Sequence, residues 1–296
     1  MVKGIIVKGI AGFYYVRTDN GIYECKARGI FKKNKVTPLV GDKVNINILS
    51  EDPKEGWIEE IEERNVELFR PAVANVDQAV IVFALKSPDP HLNLLDKIIL
   101  LAEYSGLDLT ICFNKADLIE GDAEFERYKA IYELAGYNVV MTSTKTGDGI
   151  EEVRDLLKDK ISVFAGPSGV GKSSMLNVVQ PGLELKTGEI SEKIKRGKHT
   201  TRHTELIELE FGGWVVDTPG FTSLDLNFID MAELADLFQE FREFEGHCRF
   251  NDCMHINEPD CAVKAAVDTG HIHQNRYDSY LYFYNNLVDS RRHNSW

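Results

Sequence analysis

An apolar run at residues 161–165 leads straight into Gly166-Pro167-Ser168-Gly169-Val170-Gly171-Lys172-Ser173, and then into a helical stretch that begins Ser174-Met175-Leu176. No other feature constrains the fold so tightly. The segment fits G-x-x-x-x-G-K-S/T between a strand and a helix. Its glycines let backbone N–H groups converge on phosphate oxygens while the helix presents its positive N-terminus. A loop of this kind sits at the C-terminal edge of a parallel sheet, so the chain should contain an α/β domain. Lys172 is placed to reach the β- and γ-phosphates of a nucleotide, and Ser173 to put its hydroxyl on Mg2+.

The surrounding pattern agrees. Residues 78–84, 108–113, 138–141, 161–165 and 214–216 are near-continuously apolar, as strands covered on both faces require. Helical stretches at 93–105, 123–135 and 150–157 lie between them, which predicts a mostly parallel sheet in a three-layer domain. Upstream, β-type runs at 4–7, 13–16, 22–26, 44–48 and 57–61 are broken by Asp19-Asn20-Gly21, Pro38 and Gly41-Asp42. That spacing predicts a small β-barrel of the oligonucleotide-binding (OB) type, which suits roughly 60 residues. Lys26, Arg28, Lys32, Lys33 and Lys35 give it a basic stretch that either meets nucleic acid or merely solvates a loop. The texture changes after Arg70-Pro71, and from about Asp225 helices take over around a Cys/His cluster. The expected division is an OB-type barrel at 1–63, a nucleotide-binding α/β domain at 64–224 and a helical metal-binding domain at 225–296.

Two further loops concern a nucleobase. Asn114-Lys115-Ala116-Asp117 follows the strand at 108–113, and Thr142-Ser143-Thr144-Lys145 follows the strand at 138–141. Guanine offers a donor pair, N1–H and the 2-amino group, which one carboxylate accepts. Adenine does not, so Asp117 would be left as an unpaired buried charge against ATP. Asn114 and the Lys115 stem would fix and cover the purine, and Ser143, Thr144 and Lys145 would lend backbone N–H groups to O6. Together the loops favour GTP. They precede the phosphate loop in the chain, where ordinary GTPases carry them after it, so the domain reads as circularly permuted.

The third phosphate-side element is Asp217-Thr218-Pro219-Gly220, at the end of the strand 214–216. Asp217 would face Mg2+, and the Gly220 backbone would sense the γ-phosphate. Between it and the phosphate loop lies Arg196-Gly197-Lys198-His199-Thr200-Thr201-Arg202, in which Thr200 or Thr201 would ligate Mg2+, with Thr201 preferred. The position after D-T-P-G holds Phe221, which cannot orient a water. Intrinsic hydrolysis should therefore be slow, and His199 is the candidate to handle the attacking water with Lys172 and Thr201. The alternative for His199 is contact with RNA or solvent.

Cys248, Cys253, His255 and Cys261 form C-x4-C-x-H-x5-C, three thiolates and an imidazole that would close a tetrahedral, structural Zn2+ site. His247, His271 and His273 are nearby substitutes for His255. Cys25 and Cys112, isolated in strand-like runs, read as core thiols. Five cysteines suit no disulfide framework. Acidic residues number 47 against 34 basic, a net charge of -13, which argues against coating nucleic acid by bulk charge and leaves room for local patches. No run reaches the roughly 18 apolar residues of a membrane span, and the first residues lack a signal-peptide pattern. A cytoplasmic monomer is expected.

The barrel-like start, the order N-K-A-D, T-S-T-K, G-P-S-G-V-G-K-S, G-K-H-T-T-R, D-T-P-G, and the C-x4-C-x-H-x5-C end together resemble the bacterial ribosome small subunit-dependent GTPase A family, over essentially the whole chain. The resemblance implies a GTPase that binds the 30S ribosomal subunit and its 16S rRNA late in assembly, hydrolyses GTP to GDP on stimulation by that subunit, and leaves. It carries nucleotide contacts to Asn114, Lys115, Asp117 and residues 166–174, zinc ligation to Cys248, Cys253, His255 and Cys261, and a catalytic role to His199. Two other readings are an RNA-binding placeholder with GTP as a structural ligand, and a P-loop kinase acting on a small acceptor, against which the guanine loops argue.

Overall fold

Ala11 and Gly12 both take positive φ, the geometry of a two-residue turn whose twist matches antiparallel strands, and so β1 (Val2–Ile10) folds back on β2 (Phe13–Thr18). In the computed structural model, which describes residues 1–69, 71–183, 204–217 and 226–293, three more strands complete this unit: β3 (Gly21–Ala27), β4 (Lys43–Glu51) and β5 (Lys54–Ile61). A short helix, α1 (Gly29–Lys33), precedes β4. The strands close in the order β1-β2-β3-β5-β4, with β3 and β5 parallel, and Ile6, Val16, Tyr23, Cys25, Ile46 and Ile58 fill the interior. This is the expected OB-type barrel. Its strands run longer than the apolar cores at 4–7 and 13–16, because backbone pairing continues past the buried positions.

The barrel leads into a feature that the sequence had suggested was only a junction. There β6 (Glu67–Phe69) pairs antiparallel with β7 (Ala72–Ala74). Asp42, fully buried in the barrel, receives two hydrogen bonds from Arg64 at 2.7 and 2.8 Å and fixes this passage.

Next come β8 (Gln78–Ala84), α2 (Leu92–Tyr104), β9 (Asp108–Asn114), α3 (Ala123–Leu134), β10 (Asn138–Met141), α4 (Ile150–Leu157), β11 (Ile161–Ala165), α5 (Lys172–Val179), β12 (Leu206–Glu208) and β13 (Trp214–Val216). The strands stand in the order β10-β9-β8-β11-β13-β12. All neighbours are parallel except β12, which runs against β13. Every residue of β8 is buried. Its side chains alternate, so Ala79, Ile81 and Phe83 join α2 and α3 on one face, while Val80, Val82 and Ala84 join α4 and α5 on the other. The expected three layers follow. β12 is an addition to the expected strands.

Beyond residue 226 the chain forms short 3-10 turns, then α6 (Ala262–Asp268) and α7 (Gln274–His293). Tyr277, Tyr280 and Phe283 are buried along α7 and form its packing stripe. Arg276 on α7 is fully buried, with Nη1 at 2.6 Å from Asp96 of α2 and Nε at 2.7 Å from Glu240. The C-terminal helices are thereby fixed to the α2/α3 layer. No described helix is long and apolar enough to cross a membrane.

Candidate functional site

Five parallel strands deliver the loops that follow them to one edge of the sheet, and the chain leaves β8 for β9 on one side and reaches β11 on the other. That reversal opens a crevice at the C-terminal ends of β8 and β11, where open α/β sheets bind ligands. The phosphate-type loop leaves β11 in this crevice. Gly166 and Gly171 have φ of 132° and 102°, and a Cβ on them would lie 2.1 Å from the Val82 carbonyl and 2.3 Å from Asn114 Nδ2. Glycine at both positions is what lets the loop press against β8 on one side and the N-K-A-D loop on the other.

That second contact is the central one. Asn114, fully buried at the end of β9, donates from Nδ2 to the Val170 carbonyl at 2.8 Å across 56 residues of sequence, and its Oδ1 accepts from Thr142 at 3.2 Å. One side chain therefore joins the loops after β9, β10 and β11. Asp117 accepts a hydrogen bond from the Ser143 hydroxyl at 2.8 Å and lies 3.6 Å from Lys145 Nζ. The Ser143 bond first, and Lys145 after it, hold the Asp117 carboxyl below its ordinary range, against a desolvation that would raise it. A charged acceptor is what the N1–H and 2-amino pair of guanine needs. Ser143 also accepts the N–H groups of Lys145 and Thr146, so the Ser143-Thr144-Lys145 turn is stiff. Lys115 sits at φ 64°, and its ammonium donates to the Ser87 carbonyl in the loop after β8. Sequence reasoning missed Ser87, because a carbonyl leaves no signature in residue type.

Lys172 and Ser173, the first residues of α5, are 6% and 7% exposed. Lys172 Nζ donates to the carbonyls of Gly166 and Pro167 at 2.8 and 2.7 Å. These neutral acceptors do not offset its burial, and desolvation pushes the ammonium down to about 8. Phosphate oxygens at the loop would restore the charge and raise that value. Nucleotide binding must then take up a proton when the pH stands above about 8. We expect the affinity for GTP to fall roughly fourfold from pH 7 to 8.5, the loss of protonated Lys172 in the free protein. Titration calorimetry in buffers of different ionisation enthalpy checks it, and equal affinities with no proton uptake would refute the role of Lys172.

Asp217 follows β13 on the same edge, and its N–H donates to the Glu205 carbonyl at 2.8 Å. His199, Thr200, Thr201, Gly220 and Phe221 lie outside the described residues, as does the Lys32 side chain. Of the basic stretch on the barrel, Arg28 pairs with Glu59, and Lys26 covers the Phe13 ring at 4.9 Å. Cys25 and Cys112 are buried, and burial pushes both thiols up to about 12, as inert core residues require.

The second site is the C-terminal cluster. The ligand atoms of Cys248, Cys253, His255 and Cys261 all lie within 4.8 Å of one another, and among the described residues no other such group of Cys, His, Asp or Glu occurs. Cys248 Sγ is 3.6 Å from His255 Nδ1 and 3.9 Å from Cys261 Sγ, and His255 Nδ1 is 3.3 Å from Cys261 Sγ. Donors placed about 2.3 Å (sulfur) and 2.0 Å (nitrogen) from a tetrahedral centre stand roughly 3.5 to 3.8 Å apart, so the set could hold one metal ion. Tyr277 and Tyr280 donate to the carbonyls of His255 and Met254 at 2.7 and 2.6 Å and pin the cluster to α7. His255, rather than His247, His271 or His273, supplies the imidazole.

Comparison with known proteins gives these sites a context. The profile described as RsgA N-terminal domain matches residues 3–58, and that described as RsgA GTPase matches residues 61–227. The small ribosomal subunit biogenesis GTPase RsgA of Alkaliphilus metalliredigens is 52% identical over 99% of this chain and 100% of its own length. The protein of the same name from Caldanaerobacter subterraneus is 54% identical over 95% of this chain and 94% of its own. Among solved structures, YloQ, described as a circularly permuted GTPase, aligns with a TM-score of 0.83 at 42% identity, covering 98% of this chain and 96% of that one. YjeQ from Thermotoga maritima aligns with a TM-score of 0.84 at 38% identity, covering 97% and 98%. The likeness spans barrel, permuted sheet and Cys/His cluster alike, and the chain accordingly belongs to the RsgA family of circularly permuted GTP hydrolases.

Proposed function

We propose that this chain acts in the biogenesis of the small ribosomal subunit, binding the 30S particle late in assembly and hydrolysing GTP when the particle stimulates it. The observation that carries the nucleotide half of this reading is the Asn114–Val170 hydrogen bond, which joins base loop to phosphate loop although the chain visits them in permuted order. The ribosomal half rests on relatives named for that process that align along nearly their whole length.

In this reading Asp117 accepts N1–H and the 2-amino group, Asn114 and Lys115 fix and cover the purine, and Ser143, Thr144 and Lys145 face O6. Residues 166–174 wrap the phosphates, with Lys172 on the β- and γ-oxygens. Ser173, Thr201 and Asp217 hold Mg2+, which neutralises phosphate charge when bound. The Gly220 backbone senses the γ-phosphate, and His199 orients the water that attacks it, releasing GDP. Zn2+ is the ion of the Cys3His cluster, where four protein ligands leave no position for substrate. The barrel (1–63), GTPase domain (64–224) and zinc domain (225–296) work as a monomer in the cytoplasm, against 16S rRNA.

Phosphate release measured with and without purified 30S subunits tests the reading. Subunits should accelerate turnover of the wild-type protein at least tenfold, and His199→Ala should lose that acceleration while still binding GTP. Equal turnover with and without subunits would favour a placeholder for which GTP is a structural ligand.

A further inference from the structure

β12 is the edge strand of the GTPase sheet, and it is also where the barrel meets that sheet. Lys8 of β1 forms an antiparallel bridge with Glu205, and Lys8 Nζ stands 2.7 Å from the Glu205 carboxylate. Beside it, Arg17 of β2 holds both oxygens of Glu208, at 3.2 and 3.3 Å. The same short stretch touches the nucleotide side twice. The Glu205 carbonyl accepts the Asp217 N–H at 2.8 Å. Gln180, which ends the phosphate-loop helix α5, donates to the Glu208 carbonyl at 3.4 Å and accepts from the Glu210 N–H at 2.7 Å. Thr200 and Thr201 precede Glu205 by only five and four residues. β12 is thus tied by hydrogen bonds to Asp217 and α5, and to the barrel by the Lys8–Glu205 backbone bridge and by two charged pairs.

The four charged side chains are 32% to 49% exposed. Pairs in that setting are individually weak and open to exchange. Phosphate is a strong competitor for both cations, since it accepts charge-assisted bonds from lysine and paired ones from arginine. We propose that Lys8–Glu205 and Arg17–Glu208 form an electrostatic clasp between barrel and β12, and that the phosphate backbone of RNA opens it by taking Lys8 and Arg17. Opening frees β12, and with it Asp217, for hydrolysis. The clasp rests on the reading of the chain as a subunit-stimulated GTPase and supplies the means of stimulation. RNA and the two glutamates compete for the same cations, so each weakens the hold of the other by linkage.

Two paired substitutions test it, each followed by phosphate release with and without 30S subunits. In Glu205→Gln with Glu208→Gln the clasp is open and the cations are free. Turnover without subunits should rise about fivefold or more, a low value for coupling between sites. Lys8→Gln with Arg17→Gln should raise it equally but weaken binding of subunits. The fourfold variant should be no faster alone than either pair, because each pair breaks the same interaction. GTP affinity equal to wild type shows that the variants are folded. Should a pair fail to fold, the wild type carries the test, since screening by salt should raise its unstimulated turnover. Unstimulated turnover that is unchanged in both folded pairs, or a flat salt profile of the wild type, overturns the clasp. A wild type that subunits do not stimulate instead overturns the reading beneath it.

Discussion

Asp117→Asn should turn the protein from guanine to xanthine nucleotides. The carboxylate is held ionised by the Ser143 hydroxyl at 2.8 Å and by Lys145. An ionised carboxylate accepts both donors on the guanine edge. An asparagine amide keeps one acceptor and replaces the other with an N–H2 group that meets the guanine 2-amino group donor to donor. Xanthine carries a carbonyl there and accepts that new donor. Sites built to hydrogen-bond a substrate discriminate by roughly 10^4 when the match is lost, so GTP affinity should fall by about that factor while XTP binding appears. Ser143 can donate to the asparagine oxygen as it does to the carboxylate, so the loop should keep its shape. Competition between GTP and XTP for a fluorescent nucleotide measures both changes. A variant that still holds GTP like the wild type would remove Asp117 from base recognition.

The C-terminal region should respond globally to loss of one arginine and only locally to a chelator. Arg276 meets Asp96 and Glu240 and lies 4.7 Å from the Phe238 ring, wholly out of solvent. Burial pushes the Asp96 carboxyl up, against the opposing pull of Arg276 and a hydrogen bond from Ser279. Arg276→Met would strand two buried carboxylates, a loss of about 3–5 kcal/mol that should loosen α7 from α2 and lower global stability in a denaturant titration. Removing the metal acts elsewhere. Zinc in such sites binds with roughly 10–16 kcal/mol, more than the Tyr277 and Tyr280 hydrogen bonds and the exposed Arg249–Asp260 pair can replace. A chelator should therefore extract one zinc per chain and raise hydrogen exchange across residues 247–261. GTP affinity should stay within about twofold, because α7 remains fastened by Arg276. A tenfold loss of GTP affinity on chelation would show that the cluster supports the nucleotide site directly.

The distance between these two sites in the sequence shows where sequence reasoning succeeds. β8, β10, β11, β13 and α4 begin and end where their apolar patterns do, because strands covered on both faces tolerate little else. The convergence of loops could be read from spacing, since N-K-A-D and the phosphate loop each follow a buried strand. His255 could be selected among four histidines because two cysteines flank it at ligand spacing. Other features leave no such mark. β6, β7 and β12 are three residues each, too short for alternation to register. Ser87 acts through its carbonyl. Arg276, beside Gln274, Asn275 and Asp278 at the start of α7, reads as solvated until the fold brings Asp96 to it from 180 residues away. Glu205 and Glu208 look like surface acids until the barrel supplies their partners.

The strand order also has a bearing on synthesis. β8, β9 and β10 are neighbours both along the chain and in space, so the guanine-reading half of the pocket can assemble while the rest is still being translated. Until β11 arrives, the nascent sheet has an unpaired flank at β8, apolar in all but Gln78, the kind of edge that invites pairing with other chains. Permutation therefore gives this GTPase a vulnerable interval of some 77 residues, from Ala84 to Ile161, in which a chaperone or the ribosomal exit surface would have to shield one strand.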